Sequence, residues 1–312
     1  MRLILVGNFG VQNIGDEVLR EYFLHTFPEH EWSVVSAHPE NHNEVHRLPF
    51  GIRSFFRPWW CTVGSIARAD GLVFGGGSLF TDIESVKAPM LWWCYAAVAR
   101  VFRVPVHLSF QGIGPFRTSL GTWCAQSVCT FAKSISVRDA ASLARIASWL
   151  TKATPVLTFD PSMKEFSRVA PTKTGRRLLL LPRSNSTEIF LTAATKLLEE
   201  EWDDIYVLLM QPTVNDKKHA ERLRSIAQKN TVTILEPKTV STFLETIAHA
   251  SFVLTQRFHG ALAARAMNIP FSAVSQHEND KLSQITMNTD IRECLRLVSL
   301  GEECLRTALQ SD

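Results

Sequence analysis

The stretch FVLTQRFHGALAARAMNIPF, residues 252–271, decides the fold. SFVLT is an apolar run of strand length, Gly260 opens GALAARAMN, which reads as a buried helix, and PFSAV is the next strand. Strand, helix and strand in such close order make a parallel unit, because only a crossover connection lets two neighbouring strands point the same way. At the mouth of the first strand stand a permanent cation, Arg257, and a titratable imidazole, His259.

The same alternation runs outward in both directions. RLLLLP, DIYVLLMQ and TVTILE precede as strands, separated by the helical patterns TEIFLTAATKLLEE, KKHAERLRSIAQK and TVSTFLETIAHA. In the first half RLILV, EWSVVSA, DGLVFGG, VPVHLSF, SISV and PVLTF read as strands, with GDEVLREYFLHTF, KAPMLWWCYAAVARVF, GTWCAQSVCTFAK and DAASLARIASWL as helices between them. Between the halves KEFSRVAPTKTGRR, residues 164–177, is polar and basic, with Pro and Gly, and reads as a linker. The expectation is an α/β protein of two Rossmann-like domains, 1–165 and 176–312, facing a cleft, with parallel sheets covered by helices on both faces. A last amphipathic segment, 290–309, can pack back on the N-terminal domain. A chain of 312 residues is consistent with two domains at about 100–200 residues each.

Composition bounds the function. A net charge of +3, without Lys/Arg runs, argues against nucleic acid as partner. The six cysteines are scattered without CxxC spacing, as in reduced core thiols of a cytoplasmic protein, and no Cys/His cluster suggests a metal. The N-terminus enters a strand directly and lacks a signal-peptide pattern. APMLWWCYAAVA, residues 88–99, falls short of the roughly 20 residues that span a bilayer.

In open parallel sheets ligands sit beyond the carboxyl ends of the strands, so the strand-end loops carry the candidate site. GNFGVQNIGDEVL places Asp16 and Glu17 at a helix start, where they occupy the positive dipole end that a phosphate would use. That loop suits sugar hydroxyls through Asn8, Asn13, Asp16 and Glu17, with Asp16 as helix cap and the asparagines as turn residues the alternative. FGGGSLFTD offers Gly76, Gly77 and Ser78 for close ligand approach, and QGIGP adds Gln111. In SVRDAAS, Asp139 is a candidate cap, and Arg138 either contacts an anion or pairs with Asp139.

In the second half the strand-end loop electrostatics are opposite to those of the first loop. LLLLPRSNSTE sets Arg183 after a strand, with Ser184 and Asn185 before a helix, and Arg257 and Lys281 follow later strands. Three cations at successive strand ends of one domain, with His259 among them, indicate an anion site.

Taken in order, GNFGVQNIGDEVL, FGGGSLFTD, QGIGP, SVRDAAS, FDPSM, RFHGALAARAMNIP and NDK resemble the polysaccharide pyruvyl transferase family over residues 7–281. Relatives often carry a Tyr before the terminal Lys motif, where this chain reads VSQHENDK. The resemblance implies a glycosyltransferase-B-like fold and transfer of the enolpyruvyl group of phosphoenolpyruvate onto two sugar hydroxyls. It implies that Arg183, Arg257 and His259 hold phosphoenolpyruvate, Phe258 contributing backbone contact. Guanidinium forks suit a carboxylate and a phosphate on one small frame, and imidazole suits proton transfer or phosphate stabilisation. Catalysis is therefore expected of His259 and Asp16, donor binding also of Ser184, Asn185 and Lys281, and neither cofactor nor metal is called for.

Two alternatives stay open: a nucleotide-sugar glycosyltransferase of the same architecture, with Glu278 toward the ribose, and a non-catalytic sugar-binding module. IRSFFRPWWCTVGSIAR sets Phe55, Phe56, Trp59 and Trp60 among Arg53, Arg57 and Arg68, and Trp92, Trp93, Arg100 and Arg103 follow. This composition admits peripheral membrane contact through 53–68 and 90–103, at the inner face of the membrane, or aromatic core packing with solvated arginines. The acceptor expected is a sugar or lipid-linked oligosaccharide of a cell-surface polysaccharide.

Overall fold

A computed structural model describes residues 1–50, 56–83, 85–149, 151–172, 175–183, 188–227, 231–275 and 281–311. Arg53, Phe55, Ser184, Asn185 and Glu278 lie outside the described residues. The chain divides into two compact units: the first comprises Met1–Val11, Leu19–Pro161 and Arg292–Asp312, the second Gln12–Val18 and Ser162–Ile291.

In chain order the first unit is built from β1 (Arg2–Phe9), α1 (Ile14–Thr26), β2 (Glu31–Ser36), β3 (Glu44–His46), α2 (Trp60–Arg68), β4 (Gly71–Phe80), α3 (Lys87–Val101), β5 (Val106–Ile113), α4 (Ser119–Phe131), β6 (Ser134–Val137), α5 (Ala140–Ile146) and β7 (Val156–Leu157). The strands form one parallel sheet in the order β3-β2-β1-β4-β5-β6-β7. Its central strands are buried on both faces, so they read as continuous apolar runs: β5 is buried throughout. Ile66 of α2, Tyr95, Ala96 and Ala99 of α3, and Ala125, Val128 and Cys129 of α4 close one face. Burial pushes the Cys129 thiol up to about 12, as befits an inert core cysteine. Trp92 belongs to this core and stacks on Tyr95, so of the two alternatives for the aromatic segments core packing holds at that position. On a second core cluster Leu19, Tyr22 and Phe23 of α1, with Phe27 just beyond it, meet Val298, Leu305 and Leu309 of the terminal helix.

The second unit follows with α6 (Ser162–Phe166), β8 (Arg177–Leu181), α7 (Glu188–Leu198), β9 (Asp204–Leu208), α8 (Val214–Ile226), β10 (Val232–Leu235), α9 (Val240–Ala248), β11 (Phe252–Thr255), α10 (Phe258–Ala266), β12 (Phe271–Ala273) and a 3-10 turn (Lys281–Gln284). Helix α11 (Ile291–Gln310) then returns the chain to the first unit. The five strands are parallel in the order β10-β9-β8-β11-β12. Both sheets thus have the strand order of a Rossmann-like fold, in which the order reverses beside the first strand.

The units do not meet at a single cut. The chain passes from the first to the second between Pro161 and Ser162, and α6 occupies the start of the polar 164–177 stretch. Met163 and Phe166 are buried there, Phe166 packing 6.1 Å from Phe243 of α9 between ring centroids. Residues 12–18 leave the unit on either side of them and join the second, where the Ile14 amide donates to the Met210 carbonyl at 3.0 Å.

Candidate functional site

In the second unit strand order reverses between β8 and β11, so the segments leaving these two strands flank the crevice where parallel sheets bind ligands. Arg183 follows β8 and is half-buried. Arg257 follows β11 as the residue before α10, with extended backbone at φ −105° and ψ 125°. Thr255, fully buried, holds that turn: its hydroxyl accepts from the Arg257 amide at 2.9 Å and donates to the Arg257 carbonyl at 3.1 Å.

The guanidinium of Arg257 is fixed from two sides. Its Nε donates to the Pro182 carbonyl at 3.0 Å, and its Nη2 donates to Asp216 Oδ1 at 2.6 Å. The Asp216 side chain is 1% exposed and the Arg257 side chain 12%, so this ion pair is largely out of water. Asp216 lies in the first turn of α8, whose cap, Thr213, accepts from the Asp216 amide and donates its hydroxyl to Oδ2 at 2.6 Å. Both carboxylate oxygens are engaged, which a buried charge requires. Sequence reading missed Asp216. The capping pattern Thr213-x-x-Asp216 was visible, but nothing local links it to an arginine 41 residues away.

His259 is the second residue of α10, its ring edge-on to Phe258. It lies against Gly15 of α1: a Cβ built on Gly15 would stand 2.2 Å from His259 Nδ1. Position 15 is a glycine because the imidazole needs the space. The neighbouring turn is braced by Asn13, which donates to Asp16 Oδ2 at 2.8 Å and accepts from the Gly15 amide. Asn13, Asp16 and Glu17, read above with the N-terminal domain, therefore belong to the same compact unit as Arg183, Arg257, Phe258, His259 and Lys281. Lys281 opens the 3-10 turn and is half-buried.

The remaining candidates stay in the first unit. Asn8 accepts from Arg47 Nη2 at 3.1 Å. Gly76 and Gly77 bend the end of β4 with φ of +77° and +82°, values that favour glycine. Gln111, fully buried, turns its amide nitrogen to the carbonyls of Phe74, Gly76 and Ser109, so it acts by bracing this bend rather than as an exposed donor. Arg138 has a partner that neither alternative named: it pairs with Asp160 at 2.5 Å and donates to Ser78 Oγ at 2.8 Å, while Asp139 caps α5 through the Ser142 amide. Its side chain is 9% exposed and that of Asp160 1%, so Ser78 is held by a buried pair at the ends of β4, β6 and β7.

Asp82, beyond β4, is committed to structure. Burial would raise its pKa, but hydrogen bonds from the Thr118 hydroxyl and the Arg117 and Thr118 amides outweigh it and hold the carboxyl below its usual range.

The family described as "Polysaccharide pyruvyl transferase" matches residues 13–278. No curated protein sequence matches the chain. Among solved structures, a UDP-GlcNAc 2-epimerase from Methanocaldococcus jannaschii is similar, with TM-score 0.57 and 11% identity over 96% of this chain and 92% of that one. The UDP-GlcNAc 2-epimerase from Neisseria meningitidis, bound to UDP-GlcNAc, gives TM-score 0.58 and 9% identity over 99% and 93%. Anabaena HepE in complex with UDP-glucose gives TM-score 0.57 and 11% identity over 99% and 95%. At such identities the likeness is one of fold.

Proposed function

The chain belongs to the polysaccharide pyruvyl transferase family, and from that premise we propose that it moves the enolpyruvyl group of phosphoenolpyruvate onto two hydroxyls of one sugar. The product is a pyruvate ketal and the leaving group is phosphate. The acceptor is a cell-surface polysaccharide or its lipid-linked precursor, met in the cytoplasm at the inner face of the membrane. Among the described residues no helix is long and apolar enough to cross that membrane.

The observation that carries this reading is the grouping of an oriented guanidinium, an imidazole and a carboxylate in one compact unit. Arg257 is aligned by Asp216 and Pro182, and His259 lies against the turn that carries Asp16. Arg257, Arg183 and Lys281, with Ser184 and Asn185, would hold the carboxylate and phosphate of the donor. Protonation of the methylene carbon turns it into a methyl group and leaves an oxocarbenium-like centre at C2. One sugar hydroxyl adds there and loses its proton; the C2–O bond to phosphate breaks with its electron pair. The second hydroxyl adds at C2 and closes the ketal, its proton leaving with the phosphate. His259 stabilises the departing phosphate or supplies the proton, and Asp16 accepts a proton from an acceptor hydroxyl. For the acceptor, the second unit would offer Asn13 and Glu17, and the first unit by itself offers Asn8, Gly76, Gly77 and Ser78, with Gln111 bracing the glycine bend.

Turnover of His259→Ala and Arg257→Ala with phosphoenolpyruvate tests the assignment: each is expected to lose at least about a hundredfold. Near-parent turnover in either ends it. A second reading, a nucleotide-sugar glycosyltransferase, draws on the fold shared with enzymes of UDP-sugars. Thermal stabilisation by phosphoenolpyruvate but not by UDP-sugars supports pyruvyl transfer; the reverse supports the second reading.

A further inference from the structure

Helices α2, α3 and α4 cover one face of the seven-stranded sheet, and none of them contains an aspartate or a glutamate, although the chain has 30 acidic residues. Their charged residues are Arg68, Lys87 and Arg100, all exposed. The same helices turn large apolar side chains to solvent: Trp60 (59%), Trp123 (51%), Leu120 (43%) and Val101 (77%), and Phe56 (81%) and Phe102 (46%) are exposed in the segments next to α2 and α3. Trp93 of α3 joins Trp123 of α4 at 5.2 Å between ring centroids, so two adjacent helices contribute to one aromatic surface. Helix α11 of the same unit differs. It carries both signs, as in the Glu293–Arg296 pair, which is the ordinary pattern of a solvated helix.

We propose that the α2–α3–α4 face docks peripherally on an anionic lipid bilayer. Tryptophan and phenylalanine rings sit favourably at the headgroup level, where one side is apolar and the other wet, and guanidinium and ammonium groups meet lipid phosphates. The charge pattern selects this occupant. A second copy of the same face, related by a twofold axis, would set Arg68, Lys87 and Arg100 against like charges, with no carboxylate within the three helices to pair with them. Trp123 and Leu120 of α4 extend the surface beyond the 53–68 and 90–103 stretches, while buried Trp92 drops out of it. The proposal stands whether or not pyruvyl transfer does.

The test is flotation of the full chain with vesicles of phosphatidylcholine alone and of equimolar phosphatidylcholine and phosphatidylglycerol. Binding is expected to the mixed vesicles only, with release as salt approaches about 0.5 M. Trp60→Ala with Trp123→Ala, and separately Arg68→Gln with Lys87→Gln, are each expected to cut the bound fraction at least about fivefold. All four side chains are exposed, so melting temperature and stabilisation by phosphoenolpyruvate should match the parent. Failure to float, equal binding to neutral vesicles, or variants that float like the parent overturns the proposal. So does a lipid-free dimer that the tryptophan variant dissolves, which would make the face an interface between copies.

Discussion

Replacing Asp216 by alanine removes the carboxylate that neutralises Arg257 in a site where the two side chains are 1% and 12% exposed. Such a change strands a guanidinium out of water, and breaking a buried pair from one side costs about 3–5 kcal/mol. It also deletes the acceptor of the Thr213 hydroxyl at the start of α8. With roughly 2–4 °C lost per kcal/mol in domains of this size, the melting temperature of the second unit should fall by on the order of 10 °C. The double variant Asp216→Ala with Arg257→Met no longer strands a charge, so it should be less destabilised than the two single changes together, with a coupling of about 0.5–3 kcal/mol. Calorimetry on parent, singles and double measures this cycle. Additive losses, or an Asp216→Ala protein melting within about 2 °C of the parent, would refute the reasoning. Asp216→Asn keeps an acceptor for Arg257, so it should melt closer to the parent while raising KM for phosphoenolpyruvate through a less firmly held guanidinium.

Gly15→Ala places a methyl where His259 Nδ1 now lies, 2.2 Å from the added carbon, so turnover should fall at least about tenfold; a crystal structure with an unmoved imidazole would contradict this. Asp160→Ala removes the buried carboxylate facing Arg138 and should destabilise the first unit by about 3–5 kcal/mol, measurable by denaturant titration. Asp82 has a folded-state pKa below its usual value, so its contribution is present above the ordinary Asp range near 4 and disappears as pH falls through the lowered value. Melting curves from pH 6 to 2 (about the span needed) should therefore show a shallower acid decline in Asp82→Asn, starting from lower stability.

The sheets were legible because their central strands are buried on both faces and are dominated by apolar residues: LLLL in β8, and β5, where VHLSFQGI is buried throughout although it carries His107, Ser109 and Gln111. Strand β3 escaped notice because EVH is short, half-buried and carries two polar residues. Helix α6 was hidden because it runs into the polar 164–177 stretch, and its buried Ser162, Met163 and Phe166 are too few to show a helical period. The strand-end cations and the glycine bend at Gly76 and Gly77 could be read from position alone. The partners that orient them could not: Asp216 lies 41 residues from Arg257, and Asp160 lies 22 from Arg138. The adherence of residues 12–18 to the second unit was equally invisible, since Gly15 bears no mark of the imidazole that excludes a side chain there.

That seven-residue excursion, together with the return of α11, means neither half of this protein is one uninterrupted length of chain. A gene fragment encoding residues 162–291 would omit the peptide on which the His259 imidazole leans, and one ending at residue 161 would omit the helix that seals Tyr22 and Phe23. Dissection into separately expressed halves should therefore fail, whereas supplying the missing strands of sequence in trans, as a two-piece complementation, offers a way to reassemble the enzyme.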